Sequence, residues 1–141
     1  MTVKEYLGQA YRIDQRINSK LEQVTSLRSL VTKASTPTFS DMPRSATRNI
    51  HSMENLIVKI MDMEREINAD IDYLVDLKRE ITGVITSLKN TEYQTLLELR
   101  YLCFHAWEKI AVEMNYDLRY IHKLHQRALE YCSAFVPASG E

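Results

Sequence analysis

A chain of 141 residues with 18 Lys and Arg against 19 Asp and Glu has room for one or two small domains, and it is not a globally basic nucleic-acid binder. Any affinity for DNA must come from a local patch. Only three Gly and three Pro stand among abundant Leu, Ile, Glu, Lys and Arg, so the expected fold class is all-α. No apolar run approaches the ~20 residues that cross a bilayer. The opening MTVKEYLGQAYRIDQR interleaves charges and lacks the apolar centre of a secretory signal. A cytoplasmic protein with no membrane partner is expected. Cys103 and Cys132 form no CxxC pair and read as buried thiols in a reducing compartment.

From Val3 to Val31 apolar residues recur as a heptad. Val3, Ala10, Ile17, Val24 and Val31 make one row, and Tyr6, Ile13 and Leu27 the second, with Lys20 interrupting it. Leu7, Leu21 and Leu30 widen the stripe. Between Thr32 and Asn49 the repeat stops: TKASTPTFSDMPRSATRN holds two prolines and many Ser and Thr, so a loop is expected over 32–49. Its Arg44 and Arg48 read as solvated cations.

A longer heptad run extends from Ile50 to Leu88. One row is Ile50, Ile57, Ile71 and Ile85, broken by Glu64 and Lys78; the other, unbroken, is Met53, Ile60, Ile67, Leu74, Ile81 and Leu88. A helix of that length is roughly 60 Å long, which suits a coiled coil. Gly83 costs roughly 1 kcal/mol against Ala and is expected to mark a bend. Residues 1–89 thus read as a helical hairpin, a stalk that folds back on itself. Because the first helix is shorter, part of the second stripe needs another partner, either a second copy or the C-terminal domain, and a hairpin that also self-associates, preferably as a dimer, is expected. Lys20, Glu64 and Lys78 would set its register or mark where the coiled coil gives way to looser packing.

After Asn90, residues 90–141 read as a separate domain. Thr91-Glu92-Tyr93-Gln94 matches a capping box, and the helix it opens carries Leu96, Leu97, Leu99, Tyr101 and Leu102. Phe104-His105-Ala106 makes a turn into WEKIAVEMNYDLRYIHKLHQRALEY, Trp107 to Tyr131. Ile110, Ala111 and Met114 form the inner face of one short helix; Leu118, Ile121, Leu124, Ala128 and Leu129 follow at helical spacing on a second. The small Ala111 suits a close helix crossing. Asn115 suits a positive φ at the turn, and Asp117 can cap the helix that follows. Ala106 is a poor cap for the first helix. Trp107, Tyr93 and Tyr101 are expected in the core, with the Trp107 ring against the helix from Thr91.

This helix, turn and helix resembles region 4 of the sigma-70 family, and the resemblance extends upstream into Leu96-Leu97-Glu98-Leu99-Arg100-Tyr101, the LLELRY that precedes such motifs. It covers about the last third of the chain. With the helical N-terminal part, the whole is similar in plan to small phage- and prophage-encoded regulators of the RinA and ArpU type. The resemblance implies a helix-turn-helix that reads double-stranded DNA and, since region 4 of sigma factors also contacts the polymerase, RNA polymerase as a second partner. It further implies that Arg119 and Lys123 occupy base-reading positions. Arg119 can donate two hydrogen bonds to guanine O6 and N7, and Lys123 can donate to guanine or phosphate. Tyr120 can pack on a thymine methyl; Gln126 and Arg127, further along, can hold the backbone. His122 gains charge below about pH 6.5 and would then strengthen phosphate attraction. Leu118 departs from the polar residue many sigma factors carry, so the target is not expected to be a standard −35 element.

His125 falls beside the apolar row and reads as a core histidine. His105, His122, His125 and the cysteines lack the paired spacing of a zinc site, and no metal or other cofactor is expected. No Gly-rich phosphate loop or activated-nucleophile signature is present, so no enzyme is expected. The reading is a DNA-binding transcription regulator that oligomerises through its stalk. It has no counterpart of the sigma segment that melts the −10 element. The alternatives are a module that binds RNA polymerase or a sigma factor without touching DNA, and a small terminase-like protein that recognises DNA for packaging.

Overall fold

The computed structural model describes residues 1–35 and 46–136, and these are helical with no strand among them. The helices are α1 (Val3–Leu7), α2 (Gln9–Ser35), α3 (Ala46–Thr86), α4 (Thr91–Leu97), α5 (Trp107–Met114) and α6 (Leu118–Cys132), with a π-helical segment at Glu98–Leu102. Part of the span expected as a loop is helical. α2 runs on through Ser35 and α3 begins at Ala46, so only 36–45, with Arg44, lie outside the described residues. The side chain of Arg48 is also outside them. No described helix is long and apolar enough to cross a membrane.

The chain divides into two compact units, and not at Lys89–Asn90. Residues 1–14 and 73 onward form one; Gln15–Asp72 form the other. The boundary moves because the start of the chain and the end of α3 share an apolar core with α6. In that first unit Tyr6, Leu7 and Ala10 are buried with Leu77, Ile81, Ile85 and Leu88 of α3, Leu97, Tyr101, and Ala128 and Cys132 of α6. Cys132 is buried as expected, and burial raises its pKa to about 11; Cys103 is exposed, contrary to expectation. α1 starts with a capping box that the heptad reading passed over. Thr2 Oγ1 accepts from the Glu5 amide at 3.1 Å, and the Glu5 carboxylate accepts from the Thr2 amide at 3.0 Å. The Tyr6 hydroxyl donates to Glu80 at 2.7 Å, and burial together with that carboxylate raises its pKa. α3 passes through Gly83 without ending, and the Thr86 and Ser87 hydroxyls donate back to the Gly83 carbonyl.

In the second unit α2 and α3 pair antiparallel. Lys20 Nζ lies 2.6 Å from Asp70 and 3.7 Å from Glu66, and Arg28 pairs with Glu64. Ile17 and Val24 of α2 are buried, as are Ile60, Met63 and Ile67 of α3. The rows differ from the sequence reading on one point. The Met53–Ile60–Ile67 row does face inward, but its companion is Leu56, Met63 and Asp70, while Ile57 and Ile71 stay exposed. Lys20 interrupts the stripe because Asp70 occupies the facing interior position, and the two charges neutralise each other there.

Candidate nucleic-acid interface

α4 is capped by Asn90, whose side-chain oxygen accepts from the Glu92 and Tyr93 amides at 2.9 and 3.2 Å. The expected Thr91 box is therefore shifted by one residue. Thr91 is already helical, and Gln94 bonds the Leu88 carbonyl instead. After α4 the backbone widens into the π-helical turn, closed by a bond from the Cys103 amide to the Glu98 carbonyl at 2.9 Å. Phe104 then takes φ 60, a conformation a bulky residue adopts only when its surroundings hold it. Here the Lys78 ammonium sits 4.7 Å over its ring and Tyr11 lies 5.5 Å away.

These bends aim Arg100 at the start of α5. Its guanidinium stacks 4.4 Å over the Trp107 ring and donates to the His105 carbonyl at 3.0 Å. α5 has no side-chain cap at Ala106, as expected. The Trp107 ring also meets His122 at 5.1 Å and His125 at 4.5 Å, so it packs on α6 histidines and Arg100 and is only half-buried. Behind it lies a second core of Leu96, Ile110, Ala111, Ile121 and Leu124.

The turn between α5 and α6 follows the expected chemistry closely. Asn115 is left-handed at φ 64, ψ 38. The Tyr116 amide donates to the Ala111 carbonyl at 3.1 Å and the Asn115 amide to Val112 at 3.3 Å, the paired bonds that end a helix on a left-handed residue. Asp117 Oδ1 accepts from the Tyr120 amide at 2.7 Å and so caps α6.

α6 is two-faced. Ile121, Leu124, His125, Ala128 and Cys132 are buried, whereas Arg119, His122, Lys123, Gln126 and Arg127 are exposed together on the opposite face. Tyr120 differs from those five: it is half-buried against the second core, its ring 4.6 Å from Tyr116. Leu118 departs from the sequence reading, because in the first turn of α6 it remains 38% exposed. His125 is buried at 3% exposure, its Nε2 bonded to the Tyr101 hydroxyl at 2.7 Å. Burial, with the nearby positive Lys4 and Arg100, lowers its pKa to about 4, so the ring is neutral at pH 7. Burial likewise pushes the Tyr101 phenol up to about 12. The described residues contain no group of three or more His, Cys, Asp or Glu placed to hold a metal ion.

The fold and this two-faced helix define an all-α protein with a paired-helix C-terminal core. The chain belongs to the family described as a protein of unknown function, DUF1492, whose profile matches residues 35–132. That span runs from the last residue of α2 to the last residue of α6. No curated protein and no solved structure gives a significant match.

Proposed function

We propose that this protein is a sequence-specific, DNA-binding regulator of transcription, of the kind phages and prophages encode, and that it works in the cytoplasm by placing α6 in the major groove. The observation that carries the reading is the exposed face of α6, where Arg119, His122, Lys123, Gln126 and Arg127 stand together. A helix of this kind fits the groove, and a capped N-terminus after a tight turn directs its first residues at base edges. Arg119 reads guanine, Lys123 reads guanine or phosphate, and Gln126 and Arg127 hold the backbone. His122 shares the face.

The test is a gel shift with promoter fragments at low salt, followed by a salt series. Binding is expected to weaken steeply with salt, and Arg119→Ala to lose about 1–3 kcal/mol of specific affinity with an unchanged melting temperature. Equal binding by wild type and Arg119→Ala removes the groove assignment.

A second reading has its own observation. Val112 on α5 is 79% exposed, and Tyr116 in the turn and Leu118 at the start of α6 are exposed as well. Apolar side chains there suit a protein partner, RNA polymerase or a sigma factor. Absence of any gel shift at low salt, with retention on immobilised polymerase, selects that reading over DNA binding.

A further inference from the structure

The second unit leaves an apolar stripe of α3 uncovered. Ile57, Met61 and Ile71 are 43%, 49% and 40% exposed, and the stripe runs through positions 57, 61, 64, 68 and 71, which alternate four and three apart. That is a heptad seam, separate from the interior one that faces α2. Beside it Ile57, Met61, Val31, Arg28 and Glu64 line a groove of about 420 Å³.

We propose that a second copy of this chain covers the stripe, the two α3 helices running antiparallel about a twofold axis at Glu66. The sequence of the seam is complementary to its own reverse. Met61 faces the partner's Ile71, and Glu64 faces the partner's Asn68. The next seam position outward in this unit, Ile57, is again apolar and exposed. The contact is therefore isologous, each copy giving the patch it receives. A parallel, in-register pair is less favourable, because it sets Glu64 against the partner's Glu64, each with only its own Arg28 as counter-ion. In the antiparallel pair that carboxylate meets an amide able to donate to it. Arg65, which flanks the axis, is already offset by Asp62 at 3.5 Å. The groove between Ile57 and Met61 takes the partner's Ile71. A foreign apolar helix would need none of this reversal symmetry. The inference does not rest on the reading of α6 as a DNA-binding element.

The full chain is expected to sediment at twice the 16.5 kDa of one copy, and Met61→Glu to weaken the association by more than tenfold while circular dichroism keeps its helix content. Orientation is read by cross-linking with a short bismaleimide in a Cys103→Ser background, since Cys103 is exposed and Cys132 is not. Mixing Met61→Cys with Ile71→Cys protein is expected to give a cross-linked dimer that neither variant gives alone. In the antiparallel pair the two Met61 positions lie ten residues apart along the helices, about 15 Å. A monomer at every concentration, a Met61→Cys protein that cross-links to itself, or a mixture that does not cross-link each overturns the proposal.

Discussion

In the unit formed by residues 1–14 and 73 onward, Leu7, Ile81, Ile85, Leu96, Leu97, Ile110, Ile121 and Cys132 are shut off from solvent. Among the described residues between Gln15 and Asp72 none reaches that degree of burial, and Leu21, Leu30, Ile57, Met61 and Ile71 stay exposed. The first unit brings together several short elements at different angles, so its side chains are surrounded. The second is two helices side by side, and a helix with one neighbour can hide only one stripe. The first unit therefore holds its shape through close packing, and the second through a narrow seam and the Lys20–Asp70 pair. Local stability is expected to follow that division.

The largest test of the contrast lies in the tightly packed unit. Ile121→Ala should cost roughly 2–5 kcal/mol, the range for a fully buried side chain whose cavity cannot collapse, and the loss should appear in hydrogen exchange of α4 to α6 amides. Next comes pH. His125 titrates near 6.5 when unfolded and near 4 when folded, so the folded form refuses a proton that the unfolded form accepts. Stability is at its full value above pH 6.5 and falls by up to about 1.4 kcal/mol per unit as pH drops from about 6.5 toward 4. A denaturant series between those pH values should show the slope, and His125→Phe should lose it. In the two-helix unit, Lys20→Ala strands Asp70 and should cost about 1.5–3 kcal/mol, read as faster exchange of α2 and α3 amides with those of α6 unchanged. Asp117→Ala removes the α6 cap for about 1 kcal/mol. Smallest of all, Ile57→Ala should shift the unfolding midpoint of a Met61→Glu background by well under 1 kcal/mol, because the side chain is partly in water already. A loss there as large as that of Ile121→Ala would erase the distinction between the two units.

What the sequence revealed and what it hid follows from range. The α5–α6 turn was legible because its chemistry is local: Asn115 and Asp117 act on amides within a few residues of themselves. The heptads of α2 and α3 were legible because burial repeats along a helix. The choice between the Ile57 row and the Leu56–Met63 row was not, since both rows are apolar and only the position of α2 decides. Asp70 could not be recognised as an interior residue without Lys20 across from it, fifty positions earlier. Asn90 and Thr91 are both good caps, and the geometry at Leu88 settled between them. The π-helical turn and the positive φ of Phe104 left no mark, because LRYLCFHAW lacks the Gly that announces such a backbone. Of the residues singled out for DNA, the exposed five were separable from the core by 3.6-residue spacing alone. Tyr120 was not, its ring being drawn inward by Tyr116 and the second core.

The packing of Tyr6, Leu7 and Ala10 into the same core as Ala128 and Cys132 bears on how the molecule is made. α1 is made before α3 and α3 before α6, so the apolar face of α1 can meet Leu77, Ile81 and Ile85 early but gains Ala128 and Cys132 only once α6 has emerged. The unit of residues 1–14 and 73 onward is therefore complete only after contacts between positions far apart in the chain have formed, a slow step by loop-closure arguments. Truncating the first ten residues would thus strip the far end of the protein of part of its interior.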